Sequence, residues 1–192
     1  MSNETSSIKF ANPAPLGLAG FALTTTLLSL INSGLVDGSG IPVVLACALA
    51  FGGTAQAFAG LCELPRGNTF GFTAFVSYGA FWWSFALIKL FLHDGVPASF
   101  VGYYLIAWGV ISFYMWIAAF RVPFVLWTIF LVLWITFFLL AAGDLTGNAN
   151  LSHAGGFTGI LTAVLAFYLS AAEVINDTWG RPVFWVGKPI VS

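Results

Sequence analysis

The chain alternates between long apolar runs and short clusters of Gly, Pro, Asn and Asp. Each run has the length of a membrane crossing, because a hydrocarbon core of about 30 Å needs roughly 20 apolar residues in a helix. We expect one helix in each run. The predicted helices span residues 14 to 33, 41 to 62, 70 to 92, 98 to 119, 123 to 143 and 155 to 175. The pattern therefore predicts an all-α integral membrane protein with six transmembrane helices.

Proline at three of the breaks supports these boundaries. Pro42, Pro97 and Pro123 each stand at a predicted helix start, where the missing N–H of proline costs no hydrogen bond. The runs are continuously apolar, whereas the strands of a membrane β-barrel alternate over about ten residues. A β-barrel is therefore disfavoured.

Composition agrees with this class and excludes others. Of 192 residues, 59% are hydrophobic and 7% charged, whereas roughly a quarter of the residues of a soluble domain are charged. Six helices occupy nearly all of residues 1–192, so we expect a single transmembrane domain surrounded by the lipid bilayer. The six Lys and Arg residues are dispersed and cannot neutralise a run of phosphates, which excludes nucleic acid as a partner.

The basic residues predict the orientation, because Lys and Arg favour cytoplasmic loops. Five of the six fall on one side of the predicted helices, namely Lys9, Arg66, Arg121, Arg181 and Lys188. Lys89 is the exception, and it can snorkel from the outer end of the third helix. Both termini are thus predicted cytoplasmic, with 1–13 as an N-terminal segment and 176–192 as a tail. The expected location is the cell (plasma or inner) membrane, crossed several times.

Two short segments of the first half of the chain have similar counterparts in the second half. Residues 71–74 and 156–159 read GFTA and GFTG, and residues 13–15 and 97–99 read PAP and PAS. A unit of three helices is odd, so a duplication would place the halves in opposite orientation, as in many transporters. These similarities favour an inverted repeat of two units with three helices each, a 3+3 inverted repeat.

No catalytic or metal-binding constellation is apparent in the sequence. His93 and His153 stand far apart in predicted outer connections, without the spacing of a metal site. A phosphate-binding GxxxxGK[ST] loop is also absent from the sequence. We therefore expect no enzyme activity, no cofactor and no metal.

A few polar residues inside the apolar spans need partners. Gln56 stands mid-helix, where an amide cannot satisfy all its hydrogen bonds locally, and Tyr78 is similar. Asn12 precedes the first helix, where it either caps the helix or helps the helix N-terminus to bind a carboxylate. Glu63 and Glu173 are explained by solvation at the inner interface. If Glu173 instead faces the bundle interior, it is the best proton-handling residue.

One heptad identifies a resemblance. NPAPLGL, residues 12–18, closely resembles the signature of the acetate uptake transporter family, which includes bacterial succinate–acetate permeases and fungal acetate permeases. AQAFAGLCELPRGNTFGFTAFVSYGAFW (55–82) is similar to that family's second and third helices, and AAGDLTGNANLSHAGG (141–156) to its fifth-to-sixth connection. YLSAAEVIN (168–176) matches its closing signature. The resemblance covers almost the whole chain.

The resemblance implies a homo-hexamer with a pore in each protomer. It also implies passage of acetate and, in some members, succinate, by a proton-coupled or channel-like mechanism. The family's aromatic and aliphatic constriction is carried over onto Phe21, Tyr78 and Leu133, and a position linked to substrate size onto Ala166. We group the substrate-binding and selectivity residues as Asn12, Thr25, Gln56, Trp82 and Ala166.

Physical reasoning makes such a pathway sensible and leaves two alternatives open. A short apolar constriction excludes bulk ions by dewetting, while a small acid can cross if hydrogen-bond donors such as Tyr78 and Gln56 lie nearby. One alternative is a channel for small neutral solutes such as urea or amides, since the wall is mostly uncharged. The other is a membrane sensor or scaffold without transport.

Overall fold

The computed structural model describes residues 10–92 and 95–191. Six helices in these ranges are long and apolar enough to cross a membrane, and the ranges contain no β-strand. The helices are α1 Ala14–Asn32, α2 Gly38–Arg66, α3 Thr69–Phe91, α4 Ala98–Ala118, α5 Phe124–Thr146 and α6 Ala149–Trp179. The predicted fold class is confirmed. Lys9, His93 and Asp94 lie outside the described residues.

Helix α2 is not uniform. Two α-helical parts, Ile41–Cys47 and Gln56–Glu63, are joined by a π-helical segment, Ala48–Ala55. Within that segment the Thr54 hydroxyl donates to the carbonyl of Leu49 at 2.7 Å. Wider π turns within α-helices occur frequently at functional sites. Here the π segment ends immediately before Gln56.

The predicted connection between the fifth and sixth helices is wrong. It was expected between residues 143 and 155, but α5 continues to Thr146 and α6 begins at Ala149. Gly147 ends α5 in the left-handed conformation (φ +67°), and the Asn148 side chain accepts from the N–H of Asn150 as the cap of α6. This two-residue turn needs no further loop. Asp144 and His153 consequently lie in helices.

The sixth helix also ends later than predicted, so residues 176–179 of the predicted tail belong to α6. Gly180 (φ +64°) terminates it, and the following segment folds back onto the bundle. The side-chain amide of Asn176 accepts from the N–H groups of Val183 and Phe184 and donates to the carbonyl of Phe184. The N–H of Val125 donates to Val186. The segment after α6 therefore lies against the start of α5.

The helices close around a central axis. Helix α1 packs against α6 and α2, α6 against α5, α5 against α4, and α2 against α3. Aromatic side chains link α3 to α5 across the axis, with ring centroids 5.2 Å apart for Phe70 and Phe130 and 5.3 Å apart for Phe81 and Phe137. Helices α1, α3 and α5 thus face one another at the centre of the bundle. We call the face where α1 begins and α6 ends the inner face.

Candidate functional site

A narrow inner cavity of about 70 Å³ lies on the bundle axis toward the inner face. Its wall comes from α1, α2, α3, α5 and α6 and is mostly apolar. The polar residues among those that line it are Gln56, Glu63, Asn68, Tyr78 and Glu173. Among the described lining residues there is no Lys or Arg. The cavity therefore offers hydrogen-bonding groups and acids but no fixed positive charge.

An outer cavity of about 260 Å³ occupies the opposite half of the axis. It shares no lining residue with the inner cavity. Phe81 and Phe137 form part of its floor, and Lys89 and Asp144 both line it. Lys89 is exposed, as a snorkelling lysine would be, but it borders this cavity. The sequence did not assign either charged residue to a cavity.

Three buried side chains, Phe21, Tyr78 and Leu133, stand where the two cavities approach each other. They are 6%, 3% and 4% exposed, and all three line the inner cavity. The rings of Phe21 and Tyr78 are 5.8 Å apart. One turn further out on α3 and α5, Phe81 and Phe137 line the outer cavity. The three helices at the centre of the bundle therefore meet in an apolar constriction that separates the cavities.

The hydroxyl of Tyr78 is directed away from the cavity, toward α4. Its oxygen lies 2.8 Å from Ser112 Oγ, which also lies 2.8 Å from the carbonyl of Trp108. A carbonyl only accepts, so the single proton of Ser112 goes to Trp108 and Tyr78 must donate to Ser112. The expectation that the Tyr78 O–H serves as a donor inside the pathway therefore does not hold in this arrangement.

Gln56 remains as a polar group beside the constriction. Its side chain is 1% exposed and lines the inner cavity, and its carbonyl Oε1 accepts no hydrogen bond from the described residues. The position depends on the close approach of α1 and α2, where a Cβ at Gly20 would lie 2.6 Å from the carbonyl oxygen of Phe51. A buried acceptor without a donor costs about 1–3 kcal/mol. This is the kind of group that a passing molecule could satisfy.

Glu173 and Asn12 meet at the mouth of the inner cavity. The Asn12 side-chain nitrogen donates to Glu173 Oε2 at 3.0 Å, and its oxygen accepts from the N–H of Ala14 at 3.1 Å. Asn12 thus accepts from the first N–H of α1 and orients Glu173 at the same time. Glu173 lines the cavity, which is the placement required for proton handling.

Glu63 is buried at the same mouth, although the sequence suggested an interfacial position. It is 1% exposed and lines the inner cavity. Arg66 Nε lies 3.2 Å from Glu63 Oε2, an ion pair without hydrogen-bond alignment. Arg66 also donates to the carbonyls of Phe10 and Ala11, both at 2.9 Å. The guanidinium is therefore held by Glu63 and the N-terminal backbone.

Of the five residues of the predicted binding set, four line neither cavity: Asn12, which reaches the inner cavity's wall only through its hydrogen bond to Glu173, and Thr25, Trp82 and Ala166. Thr25, Trp82 and Ala166 are buried, at 7%, 2% and 0% exposure, within helix contacts. Sequence reasoning missed several wall residues, namely Leu18, Phe70, Phe75, Leu126, Ile129 and Phe130. Their three- and four-residue spacing with Phe21, Tyr78 and Leu133 is the signal that could have identified them.

Comparisons with known proteins agree with this architecture. The chain is 45% identical over 184 residues to the succinate-acetate/proton symporter SatP of Escherichia coli strain K12, covering 94% of this chain and 97% of that protein. It is 39% identical over 189 residues to acetate permease A of Emericella nidulans, covering 88% of this chain and 63% of the permease. These relatives are named as transport proteins, which agrees with the expectation that the chain is not an enzyme.

A solved structure of the bacterial acetate channel SatP matches with a TM-score of 0.89 and 44% identity, covering 93% of this chain and 100% of that chain. The agreement in sequence and in helix arrangement supports a multi-pass membrane protein built in the same way. The model of the GPR1/FUN34/yaaH family matches residues 2–180. The chain therefore belongs to the GPR1/FUN34/yaaH family.

Proposed function

We propose that this protein carries acetate and related small carboxylates, including succinate, across the cell membrane through a pore in each protomer. The observation that supports the proposal most is the pair of cavities on one axis, divided by the buried side chains of Phe21, Tyr78 and Leu133. The similarity to a succinate-acetate symporter and an acetate channel supplies the substrate class. These three side chains form the gate.

The wall chemistry suits weak binding and fast release. A short apolar constriction excludes hydrated ions by dewetting, and passage requires nearby groups that replace lost hydrogen bonds. Gln56 lies beside the gate, while no Lys or Arg is found among the described residues that line the inner cavity. The substrate is therefore held by neutral hydrogen bonds rather than by an ion pair.

Proton handling is assigned to Glu173 at the inner mouth. Its carboxylate lines the cavity and is oriented by Asn12. In this position its carboxyl group can give a proton to a carboxylate entering the cavity, and its carboxylate can take one from a carboxylic acid leaving it. Transport is then linked to the proton gradient.

The functional unit is a homo-hexamer, with one pathway in each protomer. Large apolar side chains cover the outward faces of the helices, including Val43 and Phe58 of α2 and Phe100 and Tyr103 of α4, all at least 59% exposed. Such faces suit contact with lipid or with neighbouring protomers. Native mass spectrometry from detergent should give a mass of six chains, and a purely monomeric mass would contradict the hexamer.

Uptake of radiolabelled acetate into proteoliposomes, with and without a pH gradient, tests the proposal. We expect uptake above that of protein-free vesicles, increasing when the outside is acidified. Uptake equal to that of protein-free vesicles would contradict transport. Uptake that is present but unaffected by acidification would favour an anion channel over proton-coupled passage.

A channel for neutral solutes such as urea or amides is the second candidate. It is favoured by the Gln56 amide and by the lack of basic residues among the described lining residues of the inner cavity. Labelled urea should enter the same proteoliposomes faster than acetate if this candidate is correct. A membrane sensor or scaffold would transport neither.

A further inference from the structure

We infer that the molecule held at the constriction is the undissociated carboxylic acid, and that the Gln56 amide recognises it by donating one hydrogen bond and accepting another. The inference rests on the proposed transport of small carboxylates. It adds the charge state of the passing molecule and the residue that selects it.

The free acceptor of Gln56 is the first observation. Oε1 is buried, accepts no hydrogen bond from the described residues, and belongs to a side chain that lines the inner cavity. An amide carries an N–H donor group and a carbonyl acceptor on the same carbon atom, whichever way the group is turned. A matching partner needs an O–H or N–H donor beside an acceptor.

The undissociated acid has this pattern, and its anion does not. A carboxylic acid presents one O–H donor and one C=O acceptor, whereas a carboxylate only accepts. Oε1 is closed off from the cavity in this conformation. When the side-chain amide rotates toward the cavity, the acid can form a two-point contact with Gln56, its O–H donating to Oε1 and its C=O accepting from the amide nitrogen. A carboxylate would leave Oε1 without a donor and place two acceptors side by side.

The constriction provides no substitute donor from Tyr78. The Tyr78 proton is donated to Ser112, whose own proton goes to the carbonyl of Trp108. The other two gate residues, Phe21 and Leu133, are apolar. Gln56 is thus the polar group next to the gate that can pair with a substrate.

The charges around the same cavity also disfavour an anion. The titratable groups that line it with Gln56 are Glu63, Tyr78 and Glu173, and the described lining includes no base. Arg66 is held by Glu63 and by the carbonyls of Phe10 and Ala11. An anion would lose water without gaining a positive partner, which is costly in a buried site. The neutral acid avoids that cost, and its proton crosses on the substrate.

Tracer exchange in proteoliposomes, with equal pH on both sides, distinguishes the two species. Protein-dependent exchange of labelled acetate should fall about tenfold for each pH unit above the pKa of acetic acid, as the undissociated fraction falls. Acetamide, a neutral molecule with both donor and acceptor, should compete with the tracer. Methanesulfonate, a permanent anion of similar size, should not compete at the same concentration.

Two variants connect these results to Gln56. Gln56→Met keeps the length of the side chain but removes both hydrogen-bonding groups, and it should slow exchange about tenfold and abolish competition by acetamide. Gln56→Asn keeps an amide and should retain that competition. Thr162→Val is the matched control, because Thr162 is buried, bonds to its own helix at the carbonyl of Thr158 and lines neither cavity.

The outcomes separate this inference from the proposed function. Exchange that is independent of pH, or that methanesulfonate inhibits as strongly as acetamide, would overturn the inference while leaving transport in place. Wild-type competition in Gln56→Met would remove Gln56 from recognition. Exchange no faster than in protein-free vesicles would overturn the proposed function itself.

Discussion

Single side chains set the width of the proposed pathway. Leu133 is 4% exposed and stands in the constriction with Phe21 and Tyr78. The rings of Phe21 on α1 and Tyr78 on α3 have centroids 5.8 Å apart, and the isobutyl group of Leu133 lines the same cavity from α5. Because cores close only partly around a truncated side chain, removing this group leaves open space in the gate.

We therefore expect Leu133→Ala to increase uptake of succinate or lactate relative to acetate, several-fold. The matched control is Leu131→Ala, since Leu131 lies on the same helix, is partly buried and lines neither cavity. Competitive uptake of two labelled acids by the same vesicles measures the ratio directly. An unchanged uptake ratio in a folded, inserted Leu133→Ala variant would show that Leu133 does not stand at the narrowest point of the pathway.

Glu173 is the residue for which pH dependence matters most. Glu173→Gln keeps an oxygen that can accept from Asn12, so the bond at 3.0 Å can survive while the exchangeable proton is lost. We expect export of acetate, which enters at this inner mouth, to fall at neutral pH, where protonation of the substrate is limiting, and to be unchanged at acidic pH. Asp177→Asn, an exposed acid one turn further along α6, is the control. Identical pH profiles for the wild type and both variants would show that Glu173 has only a structural role.

The sequence predicted some of the residues that line the cavity, but it did not predict the direction of every side chain. The family resemblance placed Phe21, Tyr78 and Leu133 in one constriction, and its mid-helix position singled out Gln56; all four residues line the inner cavity. The direction of the Tyr78 hydroxyl depends on Ser112, which is 34 positions away. Such a partner is set by packing between helices, and no local pattern in the sequence encodes it.

At the level of elements, helix ends correspond between the two halves. Gly67 (φ +68°) followed by Asn68 joins α2 to α3, and Gly147 (φ +67°) followed by Asn148 joins α5 to α6. In both turns the asparagine side chain accepts from a backbone N–H at the start of the next helix. Corresponding turns at corresponding positions support the 3+3 inverted repeat that the similar segments of the sequence suggested.

The helix starts that the sequence predicted well are those that follow a proline. The starts of α1, α4 and α5 follow Pro13, Pro97 and Pro123, within one residue of the predicted positions. The π segment of α2 was not predicted, because hydrophobic periodicity does not distinguish a local change in hydrogen-bond register. The polar residues between 143 and 155 suggested a loop, whereas Gly147 and Asn148 suffice for the turn.

Helix α1 and the π segment of α2 approach each other closely, so adding even one methyl group between them should lower the stability of the protein. In Gly20→Ala the new methyl group would meet the carbonyl oxygen of Phe51 at 2.6 Å, and a backbone atom cannot move aside cheaply. We expect destabilisation of about 1–3 kcal/mol, seen as a lower midpoint of thermal unfolding in detergent. Gly38→Ala is the control, since nothing lies within 4 Å of a Cβ there. Equal midpoints would show that the helices separate easily.

At the level of the whole molecule, the distribution of charge explains the architecture. Only 7% of residues are charged, and those near the axis lie toward the ends of the pathway, at Glu63 and Glu173 on one side and at Lys89 and Asp144 on the other. The constriction between them is uncharged. A pathway of this kind suits a small acid that crosses without net charge.

The most direct test of this account is acetate uptake by proteoliposomes that contain a pH-sensitive dye, with the membrane potential set by potassium and valinomycin. We expect protein-dependent uptake that acidifies the vesicle interior and proceeds at the same rate at every potential, because the transported species is neutral overall. Uptake that an inside-positive potential accelerates, without internal acidification, would mean that the anion crosses alone and would contradict it.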